Sequence, residues 1–227
     1  MLVKLKNFFI VIAMIVVVFF GYVMIVNRNS TNMTGKQKVL KAIYPMIVWL
    51  NKVTNKNRDV VAHAAVIPPV SFYSLKAVLN DGTILDMASL KGKKILLVNT
   101  ASECGYTGQY DQLQKLYNQR NNELIIIGFP ANDFKEQEKG TNEEIASFCK
   151  KNFGVSFPLI QKSVVVKKPD QNNVFQWLTD PAKNGWNSQA PTWNFCKYLV
   201  NENGVLIDFF ASGIEPTGTE IANAINK

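Results

Sequence analysis

The sequence predicts a mixed α/β domain in which strands and helices alternate, carried behind an N-terminal transmembrane helix. Three observations lead there. ILLVNT (95–100) and ELIIIGF (123–129) are near-continuous apolar runs, the pattern of strands buried on both faces. Residues 107–121 between them read as a helix, so the three segments form a parallel βαβ unit with an expected right-handed crossover. Phe8–Val26 is nineteen residues without a charge, about 28 Å of helix, which is long enough to cross a bilayer.

At the N-terminus the competing reading is a cleaved signal peptide, since MLVKLKN makes a fair charged leader. Against it, the apolar stretch is long for a signal core, and NRNSTNMTGKQ after it lacks a small-x-small cleavage site. Residues 36–56 then place Leu40, Ile43, Tyr44, Ile47 and Val48 at helical spacing among Lys36, Lys38, Lys41 and Lys52, with Pro45 as a point of expected kinking. A basic amphipathic helix with Trp and Tyr suits the membrane interface; packing on the catalytic domain suits the pattern equally. Residues 54–69 read as a linker ending in Pro68-Pro69. His63, the single histidine, lies in it as an incidental residue.

Phe72–Leu79 and Thr83–Met87 flank Asn80-Asp81-Gly82, a hairpin signal because these residues tolerate positive φ. Beyond the βαβ unit, a helix is expected from Asn142, as N-cap, to about Lys151. A strand near 163–167 and a short helix near 172–179 follow. Lys197–Val200 and Val205–Phe210 flank Asn203-Gly204 as a second hairpin, and 216–226 closes the chain as a helix. That order is a thioredoxin-like fold with insertions. The expected organisation is an anchor at 1–27, a basic juxtamembrane segment and linker at 28–69, and a catalytic domain at 70–227.

The net charge of +8 is unevenly placed: residues 1–69 carry nine Lys/Arg against Asp59 alone, while charges balance from residue 70 onward. A nucleic-acid-binding domain would hold its basic patch on the folded surface, so this distribution argues against nucleic acid and for anionic lipid near a membrane. No metal, haem, flavin or nucleotide motif is present, and neither a metal nor a cofactor is expected.

Chemistry concentrates at Cys104, where the ILLVNT strand ends and a helix is expected to begin. A helix N-terminus would favour the thiolate and bring the pKa below the free value of about 8.5. The next residues are Gly-Tyr-Thr, so Thr107 stands where a C-x-x-C motif has its second thiol. A local disulfide cannot form. Sulfenic acid, made by attack on a peroxide, is then the natural oxidised product.

NTASECGYT (99–107), GFPANDFKEQEKG (128–140), IASFCKKNFGVSFP (145–158) and WNFCKYLVNENG (193–204) stand in the order and spacing of the glutathione peroxidase family, which this chain resembles from Val70 to its C-terminus. The resemblance implies a thioredoxin-type fold and a peroxidase answering oxidative stress, with Cys104 as nucleophile and Gln137, Trp193 and Asn194 as hydrogen-bond donors. An amide and an indole suit that task, since both donate without titrating. It also places Cys149 at the resolving position of thioredoxin-dependent members, although Ile145, Phe148 and Cys149 form an apolar helical stripe that fits a structural thiol equally. Cys196 is expected to be structural.

Two positions depart from the family pattern: Ala131-Asn132-Asp133-Phe134 replaces a common Cys-Asn-Gln-Phe, and Lys139 replaces a proline. Cysteine in place of selenocysteine points toward a thioredoxin-like reductant over glutathione. The expected protein is a monomer acting on hydrogen peroxide and organic or lipid hydroperoxides, its domain outside the cytoplasm. A tethered thiol-disulfide oxidoreductase or a peroxide-sensing redox relay is the alternative.

Overall fold

The computed structural model describes residues 2–227, with side chains described from Lys6 onward. Two helices come first, α1 (Leu2–Val26) and α2 (Gly35–Thr54). From there the chain runs β1 (Val60–Ala62), β2 (Lys76–Val78), β3 (Ile84–Asp86), β4 (Lys94–Thr100), α3 (Gln109–Arg120), β5 (Leu124–Pro130), α4 (Asn142–Phe153), α5 (Asn173–Leu178), α6 (Pro181–Asn184), β6 (Lys197–Val200), β7 (Leu206–Phe210) and α7 (Thr219–Ile225).

A five-stranded sheet of order β1-β7-β6-β4-β5 forms the centre. The β4–β5 pair is parallel and the other pairs are antiparallel. Alternate residues of β4 face opposite sides, as a strand's period of two requires. Leu96 and Val98 join α3, α4 and α7 in one buried cluster, and Ile95 and Leu97 join α5 and β2 in another. Both faces are therefore covered, which explains why β4 and β5 carry so few polar residues.

Helix α2 adds to the first of these clusters. Tyr44 and Val48 pack there with Cys104, Tyr106 and Tyr110. Thr34 caps the helix in a reciprocal box with Gln37. The helix continues through Pro45 to Asn55, whose left-handed conformation ends it.

Several expectations need correction. The 54–69 linker contributes β1, which pairs antiparallel with β7 (Val60 opposite Phe210) and makes a new sheet edge. His63 is consequently placed by the fold: its N–H donates to the Ile207 carbonyl and its ring stacks on Trp186 at 5.1 Å. Thr141, not Asn142, caps α4, because its hydroxyl and the Glu144 carboxylate form a capping box. Residues 163–167 make no strand but a single bridge, Val164 to Gln171; the Val165 N–H is taken by the Asp133 carboxylate at 2.8 Å. In the first hairpin Phe72–Ser74 is a 3-10 turn, leaving only three residues per strand. The closing helix begins at Thr219, three residues later than expected.

Candidate active site

Cys104 lies in the turn that joins β4 to α3, and its side chain is fully buried. Thr107 builds that turn. Its hydroxyl accepts from the Cys104 N–H at 3.0 Å, with the carbonyls of Ala101 and Cys104 at 2.9 and 2.8 Å as alternative acceptors for its single proton. The residue that replaces a second thiol is thus the turn's internal brace.

Two further segments converge with this turn on the cysteine. The Tyr106 N–H points at Sγ from 3.4 Å, and the Trp193 and Asn194 side chains stand near enough to the sulfur to favour its thiolate. Asn194 donates through Nδ2 to Gln137 Oε1 at 2.9 Å, and the Gln137 carbonyl accepts from the Glu103 N–H at 3.0 Å. The structure therefore brings Cys104, Gln137, Trp193 and Asn194 into one cluster. They come from three connections: Cys104 from the β4–α3 turn, Gln137 from the β5–α4 loop, and Trp193 and Asn194 together from the segment entering β6.

The backbone around these donors is held in uncommon conformations. Lys135 and Glu136 have φ of 53° and 51°, and Gln137 follows them; Phe195, next to Asn194, has φ of 66°. Non-glycine residues adopt this region at a cost, and only where neighbouring contacts impose it. For Phe195 those contacts come from Asn99 of β4. Asn99 accepts at its carbonyl from the Phe195 N–H (2.6 Å) and at Oδ1 from the Cys196 N–H (2.9 Å), and donates to the Trp193 carbonyl (2.9 Å). Trp193 is further bracketed by Phe134, whose ring centre is 5.8 Å away, and by the Lys135 ammonium 5.6 Å from its own.

The electrostatics differ from the expectation. Helix α3 starts at Gln109, so turn residues separate Cys104 from the first helical turn, beyond which the dipole fades. Burial pushes the Cys104 thiol above its ordinary value; the donors from Tyr106, Trp193, Asn194 and Gly105 oppose that rise without cancelling it.

Cys149 lies in the interior of α4, fully buried, and burial pushes its thiol up to about 12. It is not bonded to Cys104; all three cysteines are free. Cys196 is also buried, with Sγ 3.4 Å from the Ser212 hydroxyl.

Sequence reasoning missed Asn99, Thr107 as a brace, and a buried acid. Asn99 had a signal, being polar at the end of an apolar strand. Glu138, only 1% exposed, had none, because it sits in a run of charged residues. Its amide N–H is held by Asn132 Oδ1 at 2.9 Å, one carboxylate oxygen has no hydrogen-bond partner among the described residues, and burial raises its pKa to about 7. A cleft of about 610 Å³ opens beside it, walled by Asn32, Thr34 and Gln37 on one side and by Ser102, Glu103 and α4 on the other.

The chain as a whole is similar to known proteins. Residues 72–179 match the family model for glutathione peroxidase. The glutathione peroxidase of Lactococcus lactis subsp. cremoris is 40% identical over 152 residues, 66% of this chain and 96% of that protein. The chain belongs to the glutathione peroxidase family. The glutathione peroxidase-like peroxiredoxin gpx1 of Schizosaccharomyces pombe is 42% identical over 150 residues, covering 66% of this chain and 94% of its own. The crystal structure of Trgpx in apo form superposes with a TM-score of 0.53 at 30% identity, over 70% of this chain and 97% of the other. As a family member, the chain is a thiol peroxidase of thioredoxin-like fold.

Proposed function

We propose that the protein is a membrane-anchored peroxidase in which Cys104 reduces hydrogen peroxide and organic or lipid hydroperoxides as part of a response to oxidative stress. The observation that carries the reading is the convergence of Trp193, Asn194 and the Tyr106 N–H on the Cys104 sulfur, with Gln137 tied to Asn194. In the first step the sulfur attacks the terminal peroxide oxygen and the O–O bond breaks. Cysteine is oxidised to sulfenic acid, and the thiol proton ends on the departing oxygen to give water or alcohol. The same N–H groups that face the sulfur are donors for the peroxide oxygens and for the charge on the leaving oxygen.

In the second step the Cys149 sulfur displaces water from the Cys104 sulfenic acid, forming a disulfide. An external dithiol then reduces that disulfide by exchange and becomes a disulfide itself. A thioredoxin-like protein is favoured over glutathione as that reductant, because a protein disulfide is the usual target of dithiol exchange. The chain is proposed to act as a monomer.

Helix α1 supplies the anchor: Lys6–Val26 is apolar enough to cross a membrane and only 6% of its most apolar stretch is buried against the protein. A signal sequence has the same properties, so the anchor is tested by carbonate washing of membranes. Retention in the pellet with an intact N-terminus supports it, and release or a processed N-terminus removes it. The catalytic domain is proposed to face out of the cytoplasm, and proteolysis of intact cells tests that orientation.

The activity is tested by peroxide consumption with thioredoxin and with glutathione in parallel, using the wild-type chain and Cys104→Ser. Loss of turnover in a folded Cys104→Ser chain supports the reading. Retained turnover removes it, and insulin reduction by the wild-type chain would instead favour a thiol-disulfide oxidoreductase.

A further inference from the structure

Helix α2 has two apolar faces, and only one of them is covered by protein. Tyr44, Val48 and Asn51 form the covered face. It lies on the turn that carries Cys104: Asn51 donates to the Tyr106 hydroxyl at 2.6 Å, and Tyr44 and Ile47 press on Gly108 and Gly105 so closely that a Cβ at either glycine would lie within 3 Å of them. Lys36 pairs with Glu103 at 2.7 Å and Lys52 pairs with Glu215, so the seating is polar at both ends.

The opposite face consists of Val39, Met46, Trp49, Leu50 and Val53, spaced as one helical stripe. They are between 36% and 65% exposed. Ala42 falls within this stripe and is buried; there α1 meets α2. The Tyr22 hydroxyl of α1 donates to the Ala42 carbonyl at 3.2 Å, and the Asn27 amide donates to the Lys38 carbonyl at 3.0 Å. Helix α1 thus leaves from the same side of α2 that carries the uncovered stripe, and the two helices are pinned together at the end of the apolar span.

We propose that the Val39–Met46–Trp49–Leu50–Val53 face of α2 lies in the lipid interface of the bilayer that α1 crosses. The proposal rests on α1 being an uncleaved anchor. Three observations select lipid as the occupant. The stripe is continuous with the exit point of the span; Tyr22 and Trp49 are the residue types that settle at the headgroup level; and Lys38 on α2, with Arg28 before the helix and Lys56 just after it, makes no ion pair among the described residues, leaving these cations for anionic headgroups. With lipid on one face and the Cys104 turn on the other, one helix thickness, about 10 Å, separates the candidate nucleophile's turn from the membrane surface.

The test uses the full chain in vesicles of phosphatidylcholine and phosphatidylglycerol whose acyl chains are brominated, so that lipid quenches nearby tryptophan. Of the four tryptophans, Trp49 alone belongs to the stripe. Brominated lipid should quench a component of wild-type emission that is absent from Trp49→Phe. A Met46→Glu/Val53→Glu chain should lose the same component while its turnover of hydrogen peroxide in detergent is unchanged, since neither residue touches the Cys104 cluster. Equal quenching in wild type and Trp49→Phe, with both chains still resistant to carbonate, overturns the proposal and leaves the anchor standing, as does full quenching in the double-glutamate chain. Crosslinking of Trp49-containing peptides between two copies, with no quenching, overturns it in favour of self-association. Release of the wild-type chain by carbonate overturns the anchor first and the proposal with it.

Discussion

The side-chain amide of Asn194 is bonded to that of Gln137 across 2.9 Å, and through this bond a residue entering β6 fixes one in the loop after β5. The pair is the lateral brace of the donor cluster over Cys104, and its disruption is measurable.

Gln137→Ala and Asn194→Ala should each slow the second-order oxidation of Cys104 by hydrogen peroxide, by about ten- to a thousand-fold if one transition-state hydrogen bond of roughly 1.4–4 kcal/mol is lost. Because each residue orients the other, the double variant should fall short of the product of the two effects. Stopped-flow oxidation of the four chains measures this. Fully multiplicative losses would mean that the two amides act independently.

Thr107→Val keeps the shape of the turn but leaves the Cys104 N–H without its acceptor. A buried orphan of this kind costs about 1–3 kcal/mol. Urea unfolding should show a loss of that order, and an unchanged midpoint would mean that Thr107 is not the brace described above.

Oxidation of Cys104 should accelerate with pH beyond neutrality, since burial holds its thiol above its ordinary value and the thiolate fraction grows until that raised pKa is passed. Rate-against-pH measurements that reach a plateau below pH 8 would show that the donors outweigh burial.

Glu138 makes a prediction of opposite use. Its folded pKa is about 7 against 4.5 when unfolded, so the stability it lends is complete below pH 4.5 and is lost as pH rises through about 7. Relative to wild type, Glu138→Gln should gain about 3 kcal/mol between those two pH values. Parallel denaturation curves at pH 4.5 and 7.5 decide it; a constant difference would place the carboxylate in a wetter site than its burial indicates.

Peroxide without reductant should produce a Cys104–Cys149 disulfide, found by peptide mass mapping. Cys149 is buried within α4, so the bond should require local opening of residues 142–153, seen as faster amide exchange in the oxidised chain. Sulfinic acid at Cys104, or a bond to Cys196, would make Cys149 a packing residue.

The sequence was most legible where one chemical pattern had one structural solution. Two apolar runs with a helix between them specify β4, α3 and β5, and Asn203-Gly204 marks the turn between β6 and β7, where Gly204 has φ of 77°. The members of the donor cluster could be named because their motifs resemble a family, but not because anything local draws Gln137 and Asn194 together. What failed depended on distant partners. Val60–Ala62 is too short to declare itself a strand, and it becomes one only because β7 has an open edge. The two faces of α2 carry similar apolar residues, so spacing alone could not say which one meets protein. The lowered pKa expected for Cys104 assumed a helix beginning at its side; the braced turn intervenes, and burial then outweighs the dipole.

The pairing of β1 with β7 also bears on solubility. Phe209 and Phe210 of β7 are flanked by β6 on one side and by the three residues of β1 on the other. A fragment cut at residue 70 would retain every member of the Cys104 cluster, yet it would strip that cover and present a bare aromatic strand edge, the kind of surface on which copies of a chain add to one another. The segment between α2 and the domain should therefore also guard it against aggregation.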